Sequence, residues 1–149
     1  MKKLAPLTFD MPIGGAEQVI CNLVENIDFK TYDVSILCLE KDLGPFGEEL
    51  TRKGVSITSL ARNPGFDLSL IKKVRNHITV NRIDILHCHQ YTPYVYGVLG
   101  ALGTGCRVIF TEHGRFFPDR RKFKRILVNP VLAIATDHIT AISKATAKA

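Results

Sequence analysis

Pro12-Ile13-Gly14-Gly15-Ala16-Glu17-Gln18 sets a glycine pair between a short apolar run and a periodic segment. Adjacent glycines permit positive φ and let another group approach the backbone, because no Cβ stands in the way. Behind them Ala16, Val19, Ile20, Leu23, Val24 and Ile27 share one face of a helix. Ahead lies Leu4 to Phe9, apolar and interrupted by Pro6. The order reads as strand, glycine turn, helix. A helix start bared by glycines offers free N–H groups and a positive dipole end, which suits an anion such as phosphate.

A chain of 149 residues fits one domain, and one of that size buries about 68–70% of the surface its unfolded chain exposes. The formal charge of +6 is uneven, since Arg115, Arg120, Arg121, Lys122, Lys124 and Arg125 cluster in one stretch opposed only by Asp119. Cys21, Cys38, Cys88 and Cys106 have no C-x-x-C spacing and lie in apolar elements, so they read as reduced core thiols of a cytoplasmic protein. There is no signal-peptide pattern and no apolar run near the membrane-spanning length of about 18 residues. Internal repeats and low-complexity segments are absent.

Strand signals recur at Asp33 to Leu39, Val55 to Leu60, Ile83 to His87, Arg107 to Thr111 and His138 to Ile142. Helices are predicted between them: Phe46 to Arg52, one capped by Asp67 that carries Leu68, Ile71, Val74 and Ile78, one opened by Pro93, and one started by Asn129-Pro130. Ser143 would cap another. Strands alternating with helices mean a Rossmann-like three-layer α/β/α domain with an open, mainly parallel sheet of about six strands. Ligands bind such sheets beyond the carboxyl ends of the strands. Gly14-Gly15, His87-Cys88-His89, Glu112-His113-Gly114 and Ser143 all fall just after a strand, on that one rim.

Gly14-Gly15-Ala16-Glu17, Asp84-Ile85-Leu86-His87-Cys88-His89, Thr111-Glu112-His113-Gly114 and Ala141-Ile142-Ser143 together resemble the amino-terminal domain of retaining glycosyltransferases of family 4, which have the GT-B fold. The order and spacing of the four motifs carry the resemblance over nearly the whole chain. The family pairs two Rossmann-like domains across a cleft, the first holding mostly the acceptor and the second most of the nucleotide-sugar. The resemblance implies a fragment: residues 1–149 would be the first domain, stopping before its last strand, with the E-x7-E-bearing second domain absent. It implies that Gly14 and Gly15 approach the donor pyrophosphate, that His113 lies at the reaction centre as the catalytic residue, and that Glu17, His89, Glu112, Gly114 and Ser143 line the acceptor side of the cleft. Glu112 would orient His113. Transfer would proceed with retention from a UDP- or GDP-sugar to a glycan or lipid-linked acceptor, with no metal and no cofactor. The cations that stabilise the leaving phosphate would come from the missing domain or a partner chain, so the fragment alone would be inactive or nearly so.

Rival readings are set against this one. A nicotinamide fingerprint needs G-x-G-x-x-G, which is missing, although Glu40 stands where a ribose-binding acid belongs. A phosphate-binding P-loop is also missing. His87 and His89 share a strand face as a metal pair would, but no third ligand is evident nearby and no metal is assigned. The basic segment, which includes Phe116, Phe117 and Phe123, reads either as a solvated helix or as a patch for anionic lipid or an anionic acceptor. No nucleic-acid recognition motif accompanies it. A peripheral place on the inner face of the cytoplasmic membrane would suit the lipid reading. The alternative function is a non-catalytic module that docks a membrane or partner chain through this patch.

Overall fold

A computed structural model describes residues 1–114, 123–143 and 146, with backbone alone for 123–127. Six parallel strands form one sheet in the order β3-β2-β1-β4-β5-β6: β1 Lys2–Thr8, β2 Tyr32–Cys38, β3 Ser56–Ser59, β4 Ile85–His89, β5 Arg107–Glu112 and β6 His138–Ala141. The helices are α1 Gly15–Asn26, α2 Gly44–Arg52, α3 Leu68–Asn81, α4 Tyr91–Ala101 and α5 Phe123–Ile134.

Among the described residues, helices cover both faces of β1 and β2, which is why these strands read as apolar runs. On one face Leu4, Val34, Ile36 and Cys38 pack with Ile20, Cys21 and Val24 of α1 and Leu50 of α2. On the other, Leu7, Leu37, Leu86, Cys88 and Phe110 pack with residues of α3, α4 and α5, such as Val74, Tyr96 and Leu132. Gly97 of α4 lies so close to the sheet that a Cβ there would meet Cys88 Sγ, Leu7 and Leu86. All four cysteines are free; Cys21, Cys38 and Cys88 are buried and Cys106 is half-buried.

Three predictions are corrected. Pro6 does not break β1: pairing with β4 is continuous through Pro6 and His87, while pairing with β2 skips Ala5 and Pro6. A residue with no N–H removes a rung on one side only. The inward stripe of α1 is Glu17, Ile20, Cys21 and Val24, with Val19 exposed. The helix is thus rotated from the purely apolar face, and Glu17 turns inward. Asn129-Pro130 does not start α5; Pro130 lies inside it, and Asn129 Oδ1 accepts from Tyr91 Oη at 2.7 Å. Leu132 of this helix is buried in the core, which at about 1.5–3 kcal/mol works against the proline's cost of about 3 kcal/mol.

The Asp67 cap forms as read: its carboxylate accepts from the N–H of Ser69 and of Leu70. Strand β4 is set two residues later than predicted and takes in both histidines.

Candidate functional site

Because all strands run the same way, their carboxyl ends make one rim. Helix α1 leaves β1 toward one face and α4 leaves β4 toward the other. Between β1 and β4 lies the switch point, where such sheets open a crevice for ligands.

Neither glycine of the pair has positive φ. Gly14 is extended and precedes α1, and a Cβ there would make the Glu17 carboxylate give way. At Gly15 a Cβ would find no atom within 4 Å, so the start of α1 is open on that side. The loop is pinned from below. Met11 N–H donates to the Leu43 carbonyl at 2.7 Å, and the Met11 carbonyl accepts from Phe46 N–H at 3.0 Å, so the start of α2 holds the turn that leads into α1.

Glu17 is buried at the start of α1 and accepts from Gln90 Nε2 at 3.2 Å. Burial raises its carboxyl above the ordinary range, the bond from its own N–H works against this, and Asp10 nearby raises it further. Gln90 was not singled out in the sequence. It precedes α4 with φ 69 and ψ 160, a backbone region that is essentially glycine's. Its only sequence signal is its place directly after His87-Cys88-His89.

The histidines form a row. His87 and His89 project from the same face of β4 with ring centroids 4.2 Å apart. His89 Nδ1 lies 2.8 Å from His113 Nε2. His87 Nε2 meets Thr111 Oγ1 at 2.7 Å, which in turn meets Thr140 Oγ1 at 2.7 Å, tying β4, β5 and β6 together. Burial drives His87 down to about 4 and His89 down to about 2, and it lowers His113 as well. Burial thus favours the neutral form of each ring in the row. His89, predicted to line the cleft, is fully buried and reaches the rim through His113, which is half-buried. The partner that holds His113 is therefore His89, in place of the predicted Glu112. With its facing nitrogens hydrogen-bonded to each other, the His89–His113 pair leaves no room for an ion between them. Among the described residues, no cluster of three or more His, Cys, Asp or Glu side chains is arranged to hold a metal.

Gly114 follows with φ +102, the left-handed region that favours glycine, and Thr146 Oγ1 is 3.8 Å from where its Cβ would be. Ser143 is exposed on the same rim, and its Oγ accepts from Thr146 N–H at 3.1 Å as a helix cap would. Glu112 ends β5 half-buried. Glu40, the residue a dinucleotide would need, is taken up by Arg62 at 2.6 Å. Arg115, Arg120, Arg121 and Lys122 lie outside the described residues, as do the side chains of Lys124 and Arg125. No helix among the described residues is long and apolar enough to cross a membrane.

The model of Glycosyltransferase Family 4 matches residues 13–149. The chain belongs to glycosyltransferase family 4. Solved structures place this family 4 chain in the GT-B fold. Alr3699/HepE of Anabaena, in complex with UDP and glucose, is 18% identical with a TM-score of 0.78, over 99% of this chain and 40% of its own. A glycosyltransferase of Rickettsia africae is 14% identical with a TM-score of 0.78, over 99% and 38%. The lipopolysaccharide outer core galactosyltransferase WaaB, in its apo form, is 15% identical with a TM-score of 0.68, over 98% and 41%. The family 4 chain thus spans about 40% of the length of these structures, as the amino-terminal GT-B domain does. No curated protein matches it.

Proposed function

We propose that this chain is the acceptor-side domain of a retaining glycosyltransferase, which moves a sugar from a UDP- or GDP-sugar to a glycan or lipid-linked acceptor. The observation that carries the reading is the presentation of His113 at the rim, with Nε2 engaged by His89 and Nδ1 without a partner among the described residues. A buried polar atom left unpaired at a strand's carboxyl end is a place for a ligand group. The open start of α1 at Gly15 supports a pyrophosphate on the same rim. Glu17 sits beside that start, with its carboxylate held by Gln90.

In this reading His113 contacts the transferred sugar, and the leaving phosphate takes the acceptor's proton on the face from which it departs. No metal enters. Donor cations come from a second domain across the cleft or from a partner chain, so the chain alone turns over little or no substrate. The cluster from Arg115 to Arg125 meets anionic lipid or an anionic acceptor at the cytoplasmic membrane surface.

The test is sugar transfer by the longer, two-domain protein with a panel of UDP- and GDP-sugars. His113→Ala is expected to lower turnover about a hundredfold or more with the fold intact, and product NMR is expected to show the donor's anomeric configuration. Unchanged turnover would remove His113 from the reaction centre. An inverted product would remove the retaining mechanism.

A further inference from the structure

Gln90 stands where local preference would place another residue. It is the N-cap of α4, a position that Ser, Thr, Asn, Asp or Gly ordinarily fills, and its side chain makes no cap bond. Its backbone, with φ 69 and ψ 160, would suit glycine. Such a conformation persists only where the surroundings over-determine it, and three elements hold it here. Gln90 N–H donates to the Thr111 carbonyl of β5 at 3.4 Å, the Gln90 carbonyl accepts from Tyr94 N–H of α4 at 3.2 Å, and Nε2 donates to Glu17 of α1 at 3.2 Å.

The bond to Glu17 decides how the carboxamide is turned. An ionised carboxylate only accepts, so the amide nitrogen faces Glu17 and the amide oxygen is directed away from it. That oxygen, Oε1, has no hydrogen-bond partner among the described residues. The unpaired polar atoms sealed from solvent there are Thr8 Oγ1, His77 Nε2, His89 Nε2 and His113 Nδ1, and Gln90 Oε1 is not one of them. Gln90 is half-buried, so its oxygen is an open acceptor at the switch point, between the starts of α1 and α4.

We infer that Gln90 is a specificity-determining residue, whose side-chain oxygen accepts a hydrogen bond from one hydroxyl of the transferred sugar or of the acceptor. This assignment of the ligand rests on the glycosyltransferase reading. A carbonyl oxygen needs a donor, which excludes the pyrophosphate, because its ionised oxygens likewise only accept. Phosphate is served instead by the N–H groups at the open start of α1 beside Gly15. Held at its backbone and at its amide nitrogen, the Gln90 side chain has little rotamer freedom left to lose when the hydroxyl arrives.

The test compares the donor and acceptor used by the two-domain protein with their singly deoxygenated analogues. For each hydroxyl, kcat/KM of the intact substrate is divided by that of the deoxy form, in the original protein and in Gln90→Ala. Loss of the Glu17 tie alone lowers both values and leaves their ratio as it was, whereas loss of a contact changes the ratio at one hydroxyl. The expected result is one hydroxyl whose removal costs the original protein about 3–10-fold and costs Gln90→Ala nothing. Whether it belongs to the donor or to the acceptor series names the source. Ratios that are all the same in Gln90→Ala as in the original overturn the proposal, while the transfer itself leaves the glycosyltransferase reading standing. Absence of transfer by the original two-domain protein defeats that reading and the ligand assigned to Gln90 with it. Should Gln90→Ala not fold, Gln90→Gly lacks the same oxygen, relieves the backbone and gives the same comparison.

Discussion

Gln90 Nε2 donates to Glu17 Oε1 at 3.2 Å, and this bond spans the switch point of the sheet. It joins the start of α4, on one face, to the start of α1 on the other. The two helix starts that border the crevice are therefore tied by side chains as well as by the strands beneath them. Gln90 holds its end of the tie in a backbone conformation costing about 1–3 kcal/mol.

Substitution at Gln90 separates strain from bond. Gln90→Ala keeps the strained backbone and removes the donor, and is expected to destabilise by about 1–3 kcal/mol, the range for a buried acceptor left unpaired. Gln90→Gly loses the same bond but relieves the strain, less about 0.5–1 kcal/mol of glycine entropy. Urea midpoints are expected to rank the original chain highest and Gly above Ala. Ala above Gly would mean that the backbone here is not strained.

The Glu17 carboxyl gives a pH signature. Its folded-state value is raised, chiefly by burial, so the folded form holds the proton longer than the unfolded form. Stability is then lost as pH rises through the unfolded value of about 4.5 and on through the folded one. Glu17→Gln removes the ionisation and still accepts from Gln90 through its amide oxygen. The variant is expected to match the original chain near pH 4 and to exceed it at pH 7. A variant that is weaker at pH 7 would show that the charge is stabilised by the start of α1 more than burial opposes it.

Gly97 tests the packing under the rim. A Cβ there would press on Cys88 Sγ and lie 3.0 Å from Leu7 and 3.1 Å from Leu86, all in the core. Overpacking costs about 1–3 kcal/mol, against about 1 kcal/mol gained from alanine's helix propensity. Gly97→Ala is expected to lower the thermal midpoint, while Gly54→Ala, where φ is +90 in open space, is strained by its backbone alone.

The basic cluster makes a prediction of its own. Charge reversal at Arg120, Arg121 and Lys124 is expected to weaken binding to vesicles containing anionic lipid, at about 1 kcal/mol per cation near the surface, and added salt is expected to weaken it likewise. Binding measured by vesicle co-sedimentation decides this. Indifference of the unsubstituted protein to anionic vesicles would dispose of the membrane patch.

The alternation of strand and helix, the strand-end positions of Gly14-Gly15, His89 and His113, and the Asp67 cap were all legible in the sequence, because each rests on local periodicity or on one residue's fit to a turn or cap. The family resemblance was legible for the same reason, since four strand-end motifs keep their order and spacing along the chain. Helix α5 was misread at Asn129-Pro130 because that pair reads locally as a cap and first turn, while the burial of Leu132 that favours the helix is a contact distant in sequence. The inward turn of Glu17, the strained tie from Gln90 and the hydrogen bond between His89 and His113 belong to the tertiary structure alone. Each joins residues brought together by parallel pairing across the sheet, Glu17 with Gln90 over the gap between β1 and β4, and His89 with His113 across β4 and β5. Sequence determined which groups reach the rim; strand order decided which of them meet, because hydrogen bonds and burial depend on distances that no local pattern encodes.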